Sequence, residues 1–209
     1  MTVAVAGSTM SPPPNFLSPT PDAELLEGIV ERRPHAFEAL VAAFQNRLYG
    51  LAWRVTGNRE DAEEAVQDAL VRAHRALFGA YSTTRLCELA LRPWLFAVTL
   101  NAARNRLRGR RPVRSLDETS PDGRLLLEPG SADPGPPATV ENQDLRTALE
   151  LALRELPYRY RTAVVLRLVE DLSYAEAAQV LDRPVGTVKS DVHRGLRRLR
   201  RRLGPLLED

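Results

Sequence analysis

The stretch from Leu172 to Arg202, LSYAEAAQVLDRPVGTVKSDVHRGLRRLRRR, constrains the fold of this chain more than any other part of it. Ser173 followed by Glu176 predicts a capping box: the serine oxygen accepts an orphan backbone N–H, and the glutamate reaches back to the cap. Ala177, Ala178, Val180 and Leu181 then supply a small apolar face suited to close helix contact. Asp182-Arg183 interrupts that run, and Pro184 suits the first position of a second helix, where its missing N–H costs nothing. Val185, Val188, Val192, Leu196 and Leu199 recur at three- and four-residue steps and predict a core face. The other face carries Thr187, Lys189, Ser190, His193, Arg194, Arg197, Arg198 and Arg201. Together these predict a helix-turn-helix whose second helix lies in a DNA major groove. A merely solvated basic helix is the plain alternative. Against it, the arginines coincide with a capped helix pair and with small polar residues where base edges would be met.

Charge is distributed to match. The net charge of the chain is only +2, so cationic residues must be placed unevenly if they bind nucleic acid. From Asp182 to Arg202 there are eight Lys or Arg against two Asp. Lys189 is the only lysine, a bias that a GC-rich genome produces as readily as phosphate recognition does. The single cysteine, Cys87, excludes an internal disulfide and a thiolate zinc cage, and fits a reducing cytoplasm. No segment approaches the roughly 18 continuous apolar residues of a membrane span, so no membrane insertion is expected. The opening residues lack the basic leader and apolar core of a secretion signal.

Elsewhere the periodicity is helical, and the expected fold class is all-α. Leu25, Leu26, Ile29 and Val30 share one side of a short helix beginning at Asp22. Phe37, Leu40, Val41, Phe44, Leu48, Leu51, Ala52 and Val55 form a longer stripe that Gly57 ends, and Asn58 can cap the next helix. That helix runs through Ala62, Ala65, Val66, Ala69, Leu70, Ala73 and Leu77. A less regular piece, GAYSTTRLCELALRP, precedes a fourth helix from Trp94 to Arg108. From Pro112 to Pro137 a Pro-, Gly-, Asp- and Ser-rich stretch with five acids and two bases reads as a linker. Helices resume at about Ala138 and at Pro157. The expected division is a disordered tail (residues 1–21), a helical domain (22–111), a flexible linker (112–137) and a second helical domain with the helix-turn-helix (138–204).

Two further stretches carry candidate chemistry. Asp61, Glu64 and Asp68 fall at i, i+3 and i+7, so one helix face is acidic, with Gln67 beside it. Such a face suits a divalent metal, a protein partner or plain solvation. No histidine or second acidic segment completes a metal shell, since His35, His74 and His193 are scattered, so no metal and no cofactor is expected. Docking and solvation remain open on charge pattern alone. In RPWLFAVTLNAARNRLRGRR, Trp94, Leu95, Val98 and Leu107 are assigned to the core. Asn101, Arg104, Asn105, Arg108, Arg110 and Arg111 gather on the remaining surface, where arginine and asparagine match guanine and adenine edges. No nucleophile–base pairing is evident, Cys87 reads as a buried or half-buried thiol, and no enzymatic activity is expected.

From about Asp22 to Leu203 the chain resembles the extracytoplasmic-function (ECF) sigma factors, promoter-specificity subunits of bacterial RNA polymerase. The resemblance rests on AFEALVAAFQNRLYGLAWRVTGNREDAEEAVQDALVRAHRAL, RPWLFAVTLNAARNRLRGRR and LPYRYRTAVVLRLVEDLSYAEAAQVLDRPVGTVKSDVHRGLRRLR, in that order. It implies that the first domain binds and opens the −10 element, with Asn101, Arg104, Asn105 and Arg108 near DNA. It implies that Asp61, Glu64, Gln67 and Asp68 dock on the polymerase clamp, and that residues 79–92 capture a flipped base. It implies −35 recognition by Arg167, Tyr174, Pro184, Thr187, Lys189, Ser190, His193 and Arg194. Core RNA polymerase, promoter DNA and an anti-sigma factor are the implied partners, and the cytoplasm the implied location. A spacing of roughly 17 bp at 3.4 Å each sets the two grips about 60 Å apart. The loop around TTRLCELALR is longer than the family pattern leads one to expect. Two rival readings are a free-standing helix-turn-helix regulator, which would need an effector domain, and a small metal-dependent nuclease using the acidic helix.

Overall fold

The computed structural model describes residues 21–109 and 140–207, and no strand occurs among them. The expected tail, the linker 112–137, Arg110 and Arg111 lie outside the described residues. The helices are α1 (Pro21–Val30), α2 (Ala36–Thr56), α3 (Arg59–Arg75), α4 (Thr83–Cys87), α5 (Leu91–Gly109), α6 (Val140–Glu155), α7 (Tyr158–Val164), α8 (Tyr174–Leu181) and α9 (Val185–Leu207). Each of α3 and α7 continues into a wider π-helical turn, Ala76–Ala80 and Val165–Val169. The i→i+5 bonds of those turns, Tyr81 N–H to Ala76 and Glu170 N–H to Val165, re-aim the chain that follows.

Helices α2, α3 and α5 pack on one another, with α1 laid against α2 and α5. The stripe along α2 is core as expected, with Leu40, Phe44, Leu48, Leu51, Ala52 and Val55 buried. Gly57 closes α2 at φ 70° with its N–H on the Trp53 carbonyl, a left-handed conformation that costs glycine nothing. Asn58 then caps α3 by accepting from the Asp61 N–H at 3.0 Å. Alanines 62, 65, 69 and 73 are all buried, so α3 approaches its neighbours closely. Arg92 ties α5 to α1 through Asp22, Nε to Oδ2 at 2.9 Å.

Four local expectations change. Helix α5 starts at Leu91 rather than Trp94, because Pro93 falls in the first turn, where its ring and missing N–H are tolerated. The irregular stretch contains α4, capped by Ser82 accepting from the Arg85 N–H. Cys87 is exposed, since this one helical turn buries only Leu86. Trp94, Val98 and Leu107 are half-buried, whereas Leu95, Phe96, Leu100, Ala102 and Ala103 form the core of α5. The indole N–H of Trp94 stays at the rim and donates to the Tyr81 hydroxyl at 3.2 Å.

The second helical group is built on α7 against α9, with α6 and α8 also packing on α9. Arg161 is 4% exposed and donates to the Arg154 carbonyl near the end of α6. Burial pushes its guanidinium down to about 10. The two groups are in contact: α2 meets α6 and α7, and α5 meets α8.

Candidate nucleic-acid interface

The helix-turn-helix forms as its local sequence dictates. Ser173 and Glu176 make both bonds of the capping box, at 3.2 and 2.8 Å. Asp182 ends α8 at φ 52°, a left-handed position that Asp tolerates better than most residues. Pro184 stands one residue earlier than expected, ahead of the first turn, and its carbonyl accepts the N–H groups of Thr187 and Val188. The core face of α9 is Val188, Val192 and Leu199, with Leu196 half-buried. Val185, assigned to that face, is 39% exposed because the first turn overhangs the core. Lys189, Ser190, His193 and Arg194 are all exposed, and Thr187 is partly so. One open face therefore carries the residues that sequence pointed to.

Three contacts orient that face. The Tyr174 ring has the Arg167 guanidinium 5.3 Å and the Lys189 ammonium 5.7 Å from its centroid, so these three expected site residues form one cluster. Asp191, fully buried on α9, accepts from Arg159 of α7 at 2.7 Å and from Arg183 of the turn at 3.2 Å. The bond to Asp191 raises the Arg159 pKa. Gly195 sits where a Cβ would come within 2.5 Å of Val164 Cγ2, so α9 lies hard against α7. Neither Asp191 nor Gly195 stood out in the sequence. The available signal was an acid and a glycine interrupting a cationic row at core-facing steps.

The α5 face is only partly open. Asn101, Asn105 and Arg108 are exposed. Arg104 is instead drawn to Tyr158 of α7, with Nε 3.4 Å from the hydroxyl and the guanidinium 5.8 Å from the ring centroid. In the expected base-capturing segment, Tyr81 lies between Arg85, 4.3 Å from its centroid, and Trp94, 5.8 Å ring to ring.

The acidic face of α3 meets α5 directly. Asp61 is 6% exposed, so the accessible part of the face is Glu64, Gln67 and Asp68. Arg106, which sequence reading passed over, bridges Glu64 and Asp68, the latter at 2.8 Å. The bond to Asp68 raises the pKa of Arg106. Glu60, Asp61, Glu64, Asn105, Arg106 and Gly109 line an open cleft of about 500 Å³ between the two helices. Among the described residues, no group of His, Cys, Asp and Glu is arranged to hold a metal ion. None of the described helices is long and apolar enough to cross a membrane.

Comparison with known proteins gives this arrangement its context. The Sigma-70 region 2 family matches residues 40–113, and the Sigma-70, region 4 family matches residues 146–199. The chain is 31% identical over 198 residues to the RNA polymerase sigma-H factor of Pseudomonas aeruginosa, covering 93% of this chain and 100% of that protein. It is 30% identical over 174 residues to the ECF RNA polymerase sigma factor SigW of Bacillus subtilis, covering 82% and 90%. Among solved structures, the sigma factor RpoE in complex with the anti-sigma factor NepR from Bartonella quintana aligns at TM-score 0.64 and 23% identity, over 82% of this chain and 98% of that one. CnrH in complex with the cytosolic domain of CnrY aligns at 0.60 and 24%, over 90% and 97%. These structural likenesses establish the two-part helical fold, and the sequence relationships establish the rest: the chain belongs to the ECF sigma factors of bacterial RNA polymerase.

Proposed function

We propose that this sigma factor grips core RNA polymerase with α3, the −10 element with α5 and the −35 element with α9. The division of labour follows residues 22–111 and 138–204. The observation that carries the reading is the open face of α9, where Lys189, Ser190, His193 and Arg194 stand together and Asp191 fixes the helix from behind. Lys189 and Arg167, held on Tyr174, meet phosphates, while Thr187, Ser190, His193 and Arg194 reach base edges. Pro184 sets the entry of the helix. On α5, Asn101, Asn105 and Arg108 approach −10 DNA directly, and Arg104 joins them once it leaves Tyr158. Glu64, Gln67 and Asp68 present carboxylates and an amide to a basic surface of the polymerase clamp, with Asp61 supporting the first turn of α3 from within. The factor works without a catalytic site, in the cytoplasm where polymerase resides. One structural relative is a sigma factor in complex with an anti-sigma factor, which supports an anti-sigma partner here.

Promoter-dependent transcription with core polymerase tests the reading. Lys189→Ala and Arg194→Ala are expected to weaken −35 binding and to leave core binding intact. Loss of the Lys189 phosphate contact lowers the salt dependence of binding by about one unit of slope. Loss of core binding in these variants would show that the faces have been exchanged.

A further inference from the structure

The far half of α9 carries five arginines, Arg197, Arg198, Arg200, Arg201 and Arg202, all exposed. They divide by direction. At about 100° of turn per residue, Arg197, Arg200 and Arg201 share an arc of about 140° with Lys189, His193 and Arg194, whereas Arg198 and Arg202 fall beyond it. The two outside the arc are the ones with partners: Arg198 lies over the Tyr160 ring at 5.2 Å, and Arg202 donates to Glu155 at 3.0 Å. Among the described residues, no acceptor or ring stands against Arg197, Arg200 or Arg201. Nor does α9 offer them an exposed acid, since its one carboxylate, Asp191, is buried away from this face. A face that meets only water commonly mixes signs, because like charges three and four residues apart weaken a helix. Here Arg194, Arg197 and Arg201 stand at such steps with one sign throughout. A polyanion laid along the stripe relieves that repulsion.

Geometry selects which part of a polyanion. Arg197 and Arg201 stand about 12 and 18 Å along the axis from Lys189. The major groove is about 12 Å wide, and a helix axis runs straight where the groove winds. A helix whose first turns meet base edges therefore leaves the groove within that length, and its far half passes the sugar–phosphate backbone. We propose that Arg197, Arg200 and Arg201 form a second, sequence-blind part of the −35 grip, holding backbone phosphates that flank the element. The inference rests on reading α9 as the −35 grip. Guanidinium suits phosphate, since its planar fork donates two parallel N–H bonds to two phosphate oxygens. Such contacts add affinity and salt dependence without base preference. They let this chain hold a poorly matched −35 element that a neutral far half would release.

The test compares two holoenzymes, core polymerase with the full parent chain and core polymerase with a chain combining Arg197→Gln, Arg200→Gln and Arg201→Gln. The probes are a promoter fragment that the parent transcribes and the same fragment with its −35 element replaced. Each lost phosphate contact removes about 0.9 from the slope of log K against log salt, so a fall of about 2–3 units is expected. Affinity should drop by the same factor on both fragments, with core affinity unchanged. Uncharged methylphosphonate linkages on both sides of the −35 element should weaken the parent about tenfold and leave the variant unaffected. Arg197→Gln alone, expected to remove about one unit of slope, decides the matter if the triple variant fails to fold. An unchanged slope would reduce the stripe to a solvated face and overturn the inference. Unequal losses on the two fragments would make these arginines base readers, and a loss of core affinity would turn them toward an acidic protein surface; either result overturns it too. The reading of α9 itself is scored by Arg194→Ala: a loss of −35 binding there, with no change in the triple variant, sinks the phosphate grip alone.

Discussion

Replacing Gly195 with alanine places a methyl group 2.5 Å from Val164 Cγ2, where carbon atoms at rest stand about 3.5–4.0 Å apart. Val164 cannot easily yield. It is 2% exposed, and a β-branched side chain in a helix has one strongly preferred rotamer. The Tyr160 Cβ and carbonyl oxygen, each 3.5 Å from the new atom, are ordinary contacts and add no strain. Overpacking costs about 1–3 kcal/mol, and a contact as short as 2.5 Å belongs in the upper part of that range, about 2–3 kcal/mol, whereas glycine to alanine inside a helix gains about 1 kcal/mol of propensity. The expected net loss is about 1–2 kcal/mol, or a fall in Tm of roughly 3–6 °C for a chain of this size. Urea unfolding followed by far-UV circular dichroism measures it. In the double variant with Val164→Ala the clash is gone, and the cycle should return a favourable coupling of about 1 kcal/mol. A Gly195→Ala protein that is as stable as the parent, or more stable, would refute the close approach of α9 to α7.

Three other perturbations separate orientation, charge and docking. Asp191→Ala strands Arg159 and Arg183, and a cost of about 2 kcal/mol in urea unfolding is expected, with −35 affinity falling although Asp191 faces away from DNA. Glu170 pairs with Arg47 of α2 at 2.9 Å, and burial still holds its folded pKa above the usual value. Its contribution to stability is full below that usual value and is lost as pH rises through the folded one. Urea midpoints measured upward from about pH 4 should therefore show a decline that Glu170→Gln removes, and an identical profile in the variant would contradict the burial. Asp68→Arg reverses charge on the α3 face and repels Arg106, and a tenfold or greater loss of core affinity is expected in a pull-down titration, with unchanged affinity counting against docking through this face.

Legibility from sequence followed the range of the interaction. The capping box at Ser173 and Glu176, the Asn58 cap and the Gly57 stop are decided within four residues, and each stands where pattern put it. The stripes on α2 and α3 were equally plain, because burial on a helix leaves a period. Cys87 and Val185 were misplaced for a related reason: at the ends of helices the stripe continues in sequence after the core has stopped in space. Arg106 and Glu170 could not have been singled out, since each acquires its meaning from a partner on another helix. In a chain so rich in arginine, composition offers no way to tell a DNA-facing guanidinium from one that holds the fold. Spacing put Arg104 on the open surface of α5, whereas it is half-buried against Tyr158, a partner that lies beyond the linker in sequence.

Helix α9 has 23 residues and so is about 35 Å long, and the residues proposed to meet base edges stand on its first turns alone. Its far half is bolted down: Arg198 lies over Tyr160, and Arg202 pairs with Glu155 at 3.0 Å. The first turns are pinned as well, through Asp191 to Arg159 and Arg183, so the helix moves as a rigid lever with the helices beneath it. From Arg202 to Lys189 the arm is about 20 Å, so a tilt of about 5° at the clamp moves the reading tip by about 2 Å. That displacement exceeds the tolerance of a base-edge hydrogen bond. With α9 as the proposed −35 reader, substitutions on α6 and α7 become a means of retuning which promoters are read.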